Sequence, residues 1–388
     1  MILLSLASKQ IWPQVLSVAH LKPDQVFLLH SQDNTESRGP AQRLKRLLDQ
    51  ARLVTPGKTR LACLPHDDFH GVERSLDELA AVHRLDLGRS VLNFTGGNKL
   101  MATAAFRWAT KRGLKAFYLE RALLLIWFEP RDGNLLTRTE KLDGHLTDDL
   151  DPVALLRCQL ETSEVERPGQ TLTLNETAKT LSDEVFFRRI QNGQDPRPWL
   201  QITGTADPDN KAGDPLEFAA AATLLRLGVK RVQRSLRLKV KSAANIPTRL
   251  PHAEIDLLFT WNGRLWLVDC KDRMRAEDLV AHLRRYLPRN IHPEAHSILT
   301  RIREELAIGQ TKVMKEDLVA VREAGGLLGS VVCIRKARLP EEVAQFARHH
   351  GIPIIRKEHL VAGLCNLLFP DQSPGRETLD ELQKHVRP

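Results

Sequence analysis

Two aspartates and a lysine stand close together in the second half of the sequence, on two apolar runs that are typical of strands. Asp256 lies inside the first run, and Asp269 and Lys271 end the second. Side chains alternate along a strand, so Asp269 and Lys271 project to one face. The dipeptide Asn262-Gly263 between the runs favours a tight hairpin, and a turn centred there places Asp256 opposite Asp269.

Facing carboxylates repel each other unless a cation neutralises them, and Mg²⁺ or Mn²⁺ is the natural occupant of an oxygen-rich site. Glu217 lies on the apolar stripe of a preceding helix, where a metal would compensate the cost of burying its carboxylate. Lys271 is suited to orienting an attacking water or stabilising the charge that develops on a phosphate. The pattern predicts a catalytic site of Glu217, Asp256, Asp269 and Lys271, with the three acids as metal ligands.

A simpler interpretation stays open for each of these residues. Asp256 could be a strand-end acid paired with Lys271, and Glu217 could be a first-turn acid that complements its helix dipole. The element order that surrounds them is predicted as α-β-β-β-α-β, with three further helices after the hairpin. These elements are Leu216–Leu227, Arg231–Val240, Ala253–Thr260, Arg264–Cys270, Ala276–Leu287, Ser297–Ala307, Lys312–Ala324, Gly329–Arg335, Glu341–His349, Ile352–Arg356 and Glu358–Leu368.

In this order the acids and the lysine resemble the PD-(D/E)xK restriction-endonuclease-like nucleases, over most of residues 211–388. The resemblance implies metal-dependent hydrolysis of phosphodiesters, with both aspartates as ligands and Lys271 as the group that positions water. Ile255 precedes Asp256, where the family name records a proline.

In the first half, short apolar runs alternate with helical patterns, which is typical of a doubly wound, Rossmann-like parallel sheet. Ligands of such folds gather beyond the carboxyl ends of the strands. The predicted strands are Ile2–Ala7, Gln25–His30, Arg60–Leu64, Ser90–Phe94, Ala116–Leu119 and the hairpin Leu123–Glu129 with Leu135–Lys141, and the predicted helices are Thr35–Gln50, Val72–Leu85 and Lys99–Lys111.

A polar cup is predicted at that rim. Its largest part follows the strand Ser90–Phe94, where two glycines let the backbone approach a ligand and the free N–H groups of a helix start attract phosphate. Neither a P-loop nor a dinucleotide-binding turn has this spacing, and a plain strand-to-helix connection is the alternative. The predicted ligand-binding residues are Ser8, Lys9, Gln10, Ser31, Thr95, Gly96, Gly97, Asn98 and Lys99.

The run from Thr95 to Met101 resembles the signature of CARF domains, the cyclic oligoadenylate sensors of type III CRISPR defence, although many members carry Thr where this chain has Asn98. A CARF-like domain followed by a PD-(D/E)xK-like domain resembles the ancillary nucleases that cyclic tetra-adenylate activates. The resemblance implies a homodimer around a two-fold symmetric ring and cleavage of single-stranded RNA or DNA, often with Mn²⁺. The predicted architecture is α/β, with a sensor over 1–148, a helical linker over 149–210 and a nuclease over 211–388.

Charge and composition set limits on the function. The formal charge of +9 comes from residues 211–388, with 30 Lys and Arg against 21 Asp and Glu, whereas residues 1–210 are neutral. A basic second half suggests a polyanionic partner, with Arg231, Arg234 and Arg237 as a nucleic-acid groove or as one solvated sheet face. Scattered cysteines and the lack of a long apolar run predict a reduced, cytoplasmic protein without a membrane segment.

Two other functions remain open from the sequence. A constitutive restriction-like DNA endonuclease would cleave without any cyclic nucleotide. A nucleotide-sensing regulator that only grips nucleic acid would be expected to lack an intact acid pair.

Overall fold

The computed structural model describes residues 1–160, 163–167, 169–205, 215–240, 252–271, 301, 315, 318, 321, 329–336 and 339–370. They form two mixed sheets with helices packed against both, which confirms the predicted α/β class. None of the helices in these ranges is long and apolar enough to cross a membrane.

The first sheet has seven strands in the order β3-β2-β1-β4-β5-β6-β7. Strands β1 to β5 pair in parallel, and β5, β6 and β7 pair antiparallel. The chain runs outward from β1 in one direction and from β4 in the other, so the switch point of this sheet lies between β1 and β4. The strands are β1 Ile2–Leu6, β2 Gln25–His30, β3 Thr59–Cys63, β4 Ser90–Asn93, β5 Lys115–Glu120, β6 Leu124–Arg131 and β7 Asn134–Lys141.

Four helices flank this sheet: α1 Trp12–Leu21, α2 Gly39–Gln50, α3 Phe69–Val82 and α4 Lys99–Lys111. Helix α1 is not among the predicted helices. Its first eight residues are all buried, so the segment has no polar face whose periodicity could reveal a helix. Pro13 lies in the first turn, where a missing N–H costs nothing.

The predicted helical linker over 149–210 is different in the structure. It contains α5 Pro152–Gln159, α6 Glu176–Thr180 and α7 Asp183–Gln191, but also three five-residue strands, β8 Ser163–Arg167, β9 Gln170–Leu174 and β10 Leu200–Gly204. Strands β8 and β9 both pair with β11, and β10 pairs with β9. This stretch therefore extends the second sheet instead of separating it from the first.

The second sheet has the order β10-β9-β11-β12-β13-β14-β15, with β8 beside β11. Its remaining elements are α8 Pro215–Arg226, β11 Val232–Val240, β12 His252–Trp261, β13 Arg264–Lys271, β14 Gly329–Arg335, α9 Glu341–His349, β15 Ile354–Arg356 and α10 Leu360–Leu368. These agree with the predictions to within two residues at each boundary. The predicted helices between residues 276 and 324 lie outside the described residues, apart from four isolated helical positions.

Candidate active site and ligand rim

The hairpin of β12 and β13 has the register that the Asn262-Gly263 turn predicts. Leu257 pairs with Val268, and the ladder continues to Trp261 with Arg264. The two turn residues have positive φ angles of 47° and 70°, as a two-residue hairpin turn of the I′ type requires.

This register brings Asp256 and Asp269 together at the end of the hairpin that is farther from the turn. Their side chains are buried, with 4% and 2% of the residue surface exposed. The backbone N–H of Cys270 donates to Oδ2 of Asp256 at 2.5 Å, so the Asp256 carboxylate is fixed against the strand that carries Asp269. Lys271 ends this strand, and its side chain lies outside the described residues.

Arg335 joins the aspartates from the neighbouring strand. Strand β14 runs parallel to β13 with Asp269 beside Cys333 and Lys271 beside Arg335, and Nη2 of Arg335 donates to Oδ2 of Asp269. Nε of Arg335 contacts Sγ of Cys333 at 2.9 Å. Burial lowers the pKa of the guanidinium, but the charges of Asp269, Cys333 and Asp256 outweigh it and raise the pKa above its usual value. A buried, fully charged arginine therefore compensates the paired carboxylates.

Glu217 is held elsewhere in this structure. Its carboxylate lies 2.7 Å from Nε of Arg234, and both side chains are buried. The guanidinium of Arg234 also contacts Oε1 of Gln170 at 2.9 Å and lies over the Phe218 ring. Among the described residues no three Asp, Glu, His or Cys side chains are grouped closely enough to hold a metal ion. The structure therefore brings Asp256 and Asp269 together but does not add Glu217.

The three arginines of the predicted groove have different positions. Arg234 is only 4% exposed and forms an ion pair with Glu217, so it is not on a surface that a nucleic acid could follow. The structure departs from the prediction here because Ser235, with a φ of 53°, interrupts the alternation of strand β11. Arg231 and Arg237 are half-buried, and Arg231 reaches the carbonyl of Asp149.

Two buried carboxylates on adjacent strands fit a hard divalent cation in their chemistry, because oxygen donors of full charge are what Mg²⁺ and Mn²⁺ prefer. Arg335 supplies one positive charge to Asp269 at this end of the sheet. Asp256 and Asp269 are the residues that could hold the metal, with Glu217 a predicted third ligand.

At the first sheet, the loops after β1 and β4 flank the switch point, with the loop after β2 next to them. Thr95 and Asn98 build the strand-to-helix turn. Oγ1 of Thr95 accepts the N–H of Leu119, and Oδ1 of Asn98 accepts the N–H of Met101 and so caps α4. Nδ2 of Asn98 donates to the carbonyl of His66 at 2.8 Å, which brings the loop after β3 to the same rim.

The two glycines of this turn are required for different structural reasons. A Cβ on Gly96 would lie 2.1 Å from the carbonyl oxygen of Leu6, so the turn presses directly on β1. Gly97 has a φ of 76°, in the left-handed region that favours glycine. Lys99, the first residue of α4, is exposed.

The other predicted rim residues follow β1 and β2. Lys9 is exposed, with Nζ 3.4 Å from Oε1 of Glu36. Oγ of Ser8 is within hydrogen-bond distance of the backbone carbonyl oxygen of Gln10. Ser31 is buried, and its backbone N–H donates to Ser37, so its part in the rim is mainly structural.

The hairpin of the aspartates is anchored at its tip in the first half of the chain. The indole N–H of Trp12 donates to the carbonyl of Gly263, and the N–H of Asn262 donates to Oδ1 of Asp148 at 2.8 Å. Oγ1 of Thr260 donates to the carbonyl of Asp148 at 3.1 Å. The tip therefore touches both α1 and the segment that follows β7.

The loop of Lys9 is connected to the same region through Gln159 of α5. Nε2 of Gln159 donates to the carbonyl of Lys9 at 3.2 Å, and its Oε1 accepts the N–H of Ile11 at 3.4 Å. Trp12 is the next residue. The rim loop after β1 is thus connected through Trp12 to the hairpin that carries the aspartates.

Three solved structures have a similar overall fold. Can2 from Sulfobacillus thermosulfidooxidans, in complex with cyclic tetra-adenylate, matches 94% of this chain and 98% of its own with a TM-score of 0.57 and 16% identity. Protein VC1899 from Vibrio cholerae matches 96% and 98%, with a TM-score of 0.59 and 13% identity. The chain has the fold of these proteins.

A third structure, of a type III CRISPR defence DNA nuclease activated by cyclic oligoadenylate, matches 87% of this chain but only 45% of its own, with a TM-score of 0.51 and 18% identity. No protein-family model matches the sequence, and no curated protein is significantly similar to it. The likeness of fold extends over both sheets, which confirms the architecture expected from the two resemblances.

Sequence reasoning missed three residues that the structure places at these sites: Arg335, Trp12 and His66. Arg335 could have been found, because the strand Gly329–Arg335 was predicted and a parallel pairing with β13 sets its end beside Lys271. Trp12 and His66 act through contacts between distant segments, which no local pattern indicates.

Proposed function

We propose that this protein is a metal-dependent endonuclease that a cyclic oligoadenylate, cyclic tetra-adenylate in the first place, activates in type III CRISPR antiviral defence. Its substrates would be single-stranded RNA or DNA. The observation that carries the proposal is the buried pairing of Asp256 and Asp269 on a hairpin whose tip is anchored beside the rim of the first sheet. The likeness in fold to Can2, whose structure contains cyclic tetra-adenylate, supports the choice of activator.

A divalent ion at the aspartates would polarise the scissile phosphate and lower the pKa of a water molecule. The chain's own residues prepare that site. The N–H of Cys270 fixes one oxygen of Asp256, and Arg335 fixes one oxygen of Asp269. Nη1 of Arg335 is buried without a hydrogen-bond partner among the described residues, which suits it to a phosphate oxygen of the substrate. Lys271, two residues after Asp269 on the same strand, would position the attacking water.

At the rim, the N-terminus of α4 and the exposed Lys99 suit a phosphate, while Thr95, Asn98 and the loop of Ser8 to Gln10 supply polar groups for ribose and base. A two-fold symmetric ring needs two such rims, so the proposal includes a homodimer. It also includes action in the cytoplasm, where the ring would be made.

The test is cleavage of labelled single-stranded RNA and DNA with Mn²⁺, in the presence and absence of cyclic tetra-adenylate, by the wild-type protein and by Asp256→Asn. We expect the wild-type protein to cleave only with the ring, and Asp256→Asn to bind the ring without cleaving. The substituted amide keeps an oxygen for the Cys270 N–H but loses the charge that holds a metal.

Other outcomes would replace the proposal. Cleavage without the ring would support a constitutive endonuclease. Nucleic-acid binding without cleavage under any metal would support a binding-only regulator, a function that the Glu217–Arg234 pairing favours because it withholds the third acid. Cleavage by Asp256→Asn at the wild-type rate would overturn the site assignment.

A further inference from the structure

A cavity of about 400 Å³ lies on the α8 side of the second sheet, beyond the carboxyl ends of β14 and β15. Its walls come from the loop after α7, the first turns of α8 and the residues that follow the two strands. Neither the aspartates nor Arg335 line it. None of the functions considered above uses it.

The cavity lies at the same end of the sheet as the aspartates but on the opposite face, because Asp269 and Arg335 alternate with Cys270 and Ile334, which pack on the α8 side. In the parallel ladder Lys271, Arg335 and Arg356 lie side by side on β13, β14 and β15. Lys336 and Lys357, which line the cavity, are the next residues after Arg335 and Arg356. With strands about 5 Å apart, the backbone at the mouth of the cavity is about 5–10 Å from the end of β13. A single strand that crosses the strand ends would reach from one face to the other.

The cavity is also separate from the place of Glu217. Pro215 and Ala219 line it, and residues four apart share one face of a helix. Glu217 lies between them in sequence and faces Arg234 on β11 instead. The first turns of α8 therefore stand between the cavity and that ion pair, so the cavity is not part of the metal site.

The lining combines cations with an apolar floor. The two acids in it are each paired with an arginine, Asp195 with Arg197 at 2.6 Å and Glu358 with Arg356 at 2.8 Å. Lys336 and Lys357 are exposed and add positive charge. Ile190, Leu360 and Val361 supply buried apolar surface.

We propose that this cavity binds one nucleotide of the substrate strand where that strand crosses the ends of β13 and β14, with Lys336 and Lys357 on its phosphate and the apolar floor under its sugar and base. A volume of this size is at the small end of ligand pockets and fits a single nucleotide. This inference rests on the proposed function for the identity of the strand.

The test measures binding rather than cleavage. A fluorescein-labelled single-stranded oligonucleotide is titrated with the full-length protein in EDTA, and its anisotropy is followed over a range of salt concentrations. For the double variant Lys336→Ala, Lys357→Ala we expect affinity about tenfold lower at low salt, and a salt dependence shallower by about 0.7 in log–log slope, as the loss of one neutralised phosphate predicts. The matched control is Lys22→Ala, Lys58→Ala, which removes the same charge from exposed sites near the amino ends of β2 and β3.

Equal affinity and slope for the two double variants would overturn the inference. A nucleoside monophosphate that binds the wild-type protein through Lys336 and Lys357 but does not compete with the oligonucleotide would overturn it too, since the cavity would then serve a free nucleotide. Because the assay contains no metal, its result is independent of whether Asp256→Asn abolishes cleavage. The experiment therefore distinguishes failure of the cavity proposal from failure of the nuclease assignment.

Discussion

The indole N–H of Trp12 donates a hydrogen bond to the carbonyl of Gly263, and both groups are buried. Trp12 begins the first helix after the rim loop of Lys9, and Gly263 closes the hairpin that carries both aspartates. A side chain at Gly263 would be crowded, because Leu16, Leu123 and Gly144 all lie 3.1–3.2 Å from its missing Cβ position. A shift of the rim loop would therefore also displace the tip of the hairpin.

Trp12→Phe should weaken activation without weakening ring binding. The substitution leaves the carbonyl of Gly263 buried without its donor, at a cost of about 1–3 kcal/mol, and loosens the link between loop and hairpin. We expect the ratio of cleavage with and without cyclic tetra-adenylate to fall about tenfold, a change typical of coupling energies. Cleavage assays and calorimetric titration of the ring measure the two effects.

Trp127→Phe is the matched control, because Trp127 is equally buried but donates to Glu140 within the first sheet. If both variants lower the activation ratio alike, the effect is a general loss of stability, and the Trp12 contact does not carry coupling.

Gly96→Ala should destabilise the protein and abolish ring binding. The added methyl group would meet the Leu6 carbonyl at 2.1 Å, so the turn after β4 must move away from β1. Overpacking of this kind costs about 1–3 kcal/mol. Gly88→Ala is the control, since its nearest neighbour lies at 3.4 Å. Thermal unfolding and ring titration provide the measurements, and a Gly96 variant as stable as the control would contradict the tight contact.

Lys99→Ala should raise the concentration of ring needed for half-maximal activation about tenfold, as expected for the loss of one charge-assisted contact to phosphate. Maximal cleavage should be unchanged, because Lys99 is exposed at the start of α4 and far in sequence from the hairpin. Lys111→Ala, at the other end of the same helix, is the control. An unchanged activation curve for Lys99→Ala would remove this lysine from the binding site.

Glu73→Gln should remove a pH-dependent part of the stability. Two hydrogen bonds from Arg107, at 2.9 and 2.6 Å, hold the pKa of Glu73 at about 2, below its model-peptide value of 4.5. A lowered pKa stabilises the folded state above pH 4.5, and this contribution is lost as the pH falls towards 2. Because Arg107 is 40% exposed, we expect a difference of at most about 1 kcal/mol at pH 7.

Urea unfolding of the wild-type protein and of Glu73→Gln between pH 2 and pH 7 measures this difference. The two curves should converge as the pH falls below 4.5. A difference that stays constant over the whole range would mean that the variant acts through packing, not through the charge of Glu73.

The sequence predicts most strands and helices of this fold but not the short strands between residues 163 and 204, and it predicts the acid pair better than its surroundings. Strand β2 and strand β14 have the predicted bounds, because apolar runs ending at polar residues indicate buried parallel strands. Strands β8 to β10 were missed since five polar-rich residues are too few to show a clear period of two. The hairpin register followed from Asn262-Gly263 alone.

The ion pairs could not be predicted in the same way. Glu217 and Arg234 are on different elements, and so are Asp269 and Arg335, and each pair forms only when helix and sheet or two parallel strands are assembled. Local patterns show that a carboxylate on an apolar stripe needs a partner. They do not say whether the partner is a metal ion or an arginine.

One apolar cluster extends from Leu3 and Val15 of the first sheet and its helix, through Leu155 of α5, to Leu258 and Leu267 of the hairpin. The two halves of the chain therefore share one core among the described residues. Replacing the N-terminal half by that of a distant relative would leave apolar surface on the hairpin's side unmatched, and a substitution in the core of the first sheet would alter the packing of the hairpin.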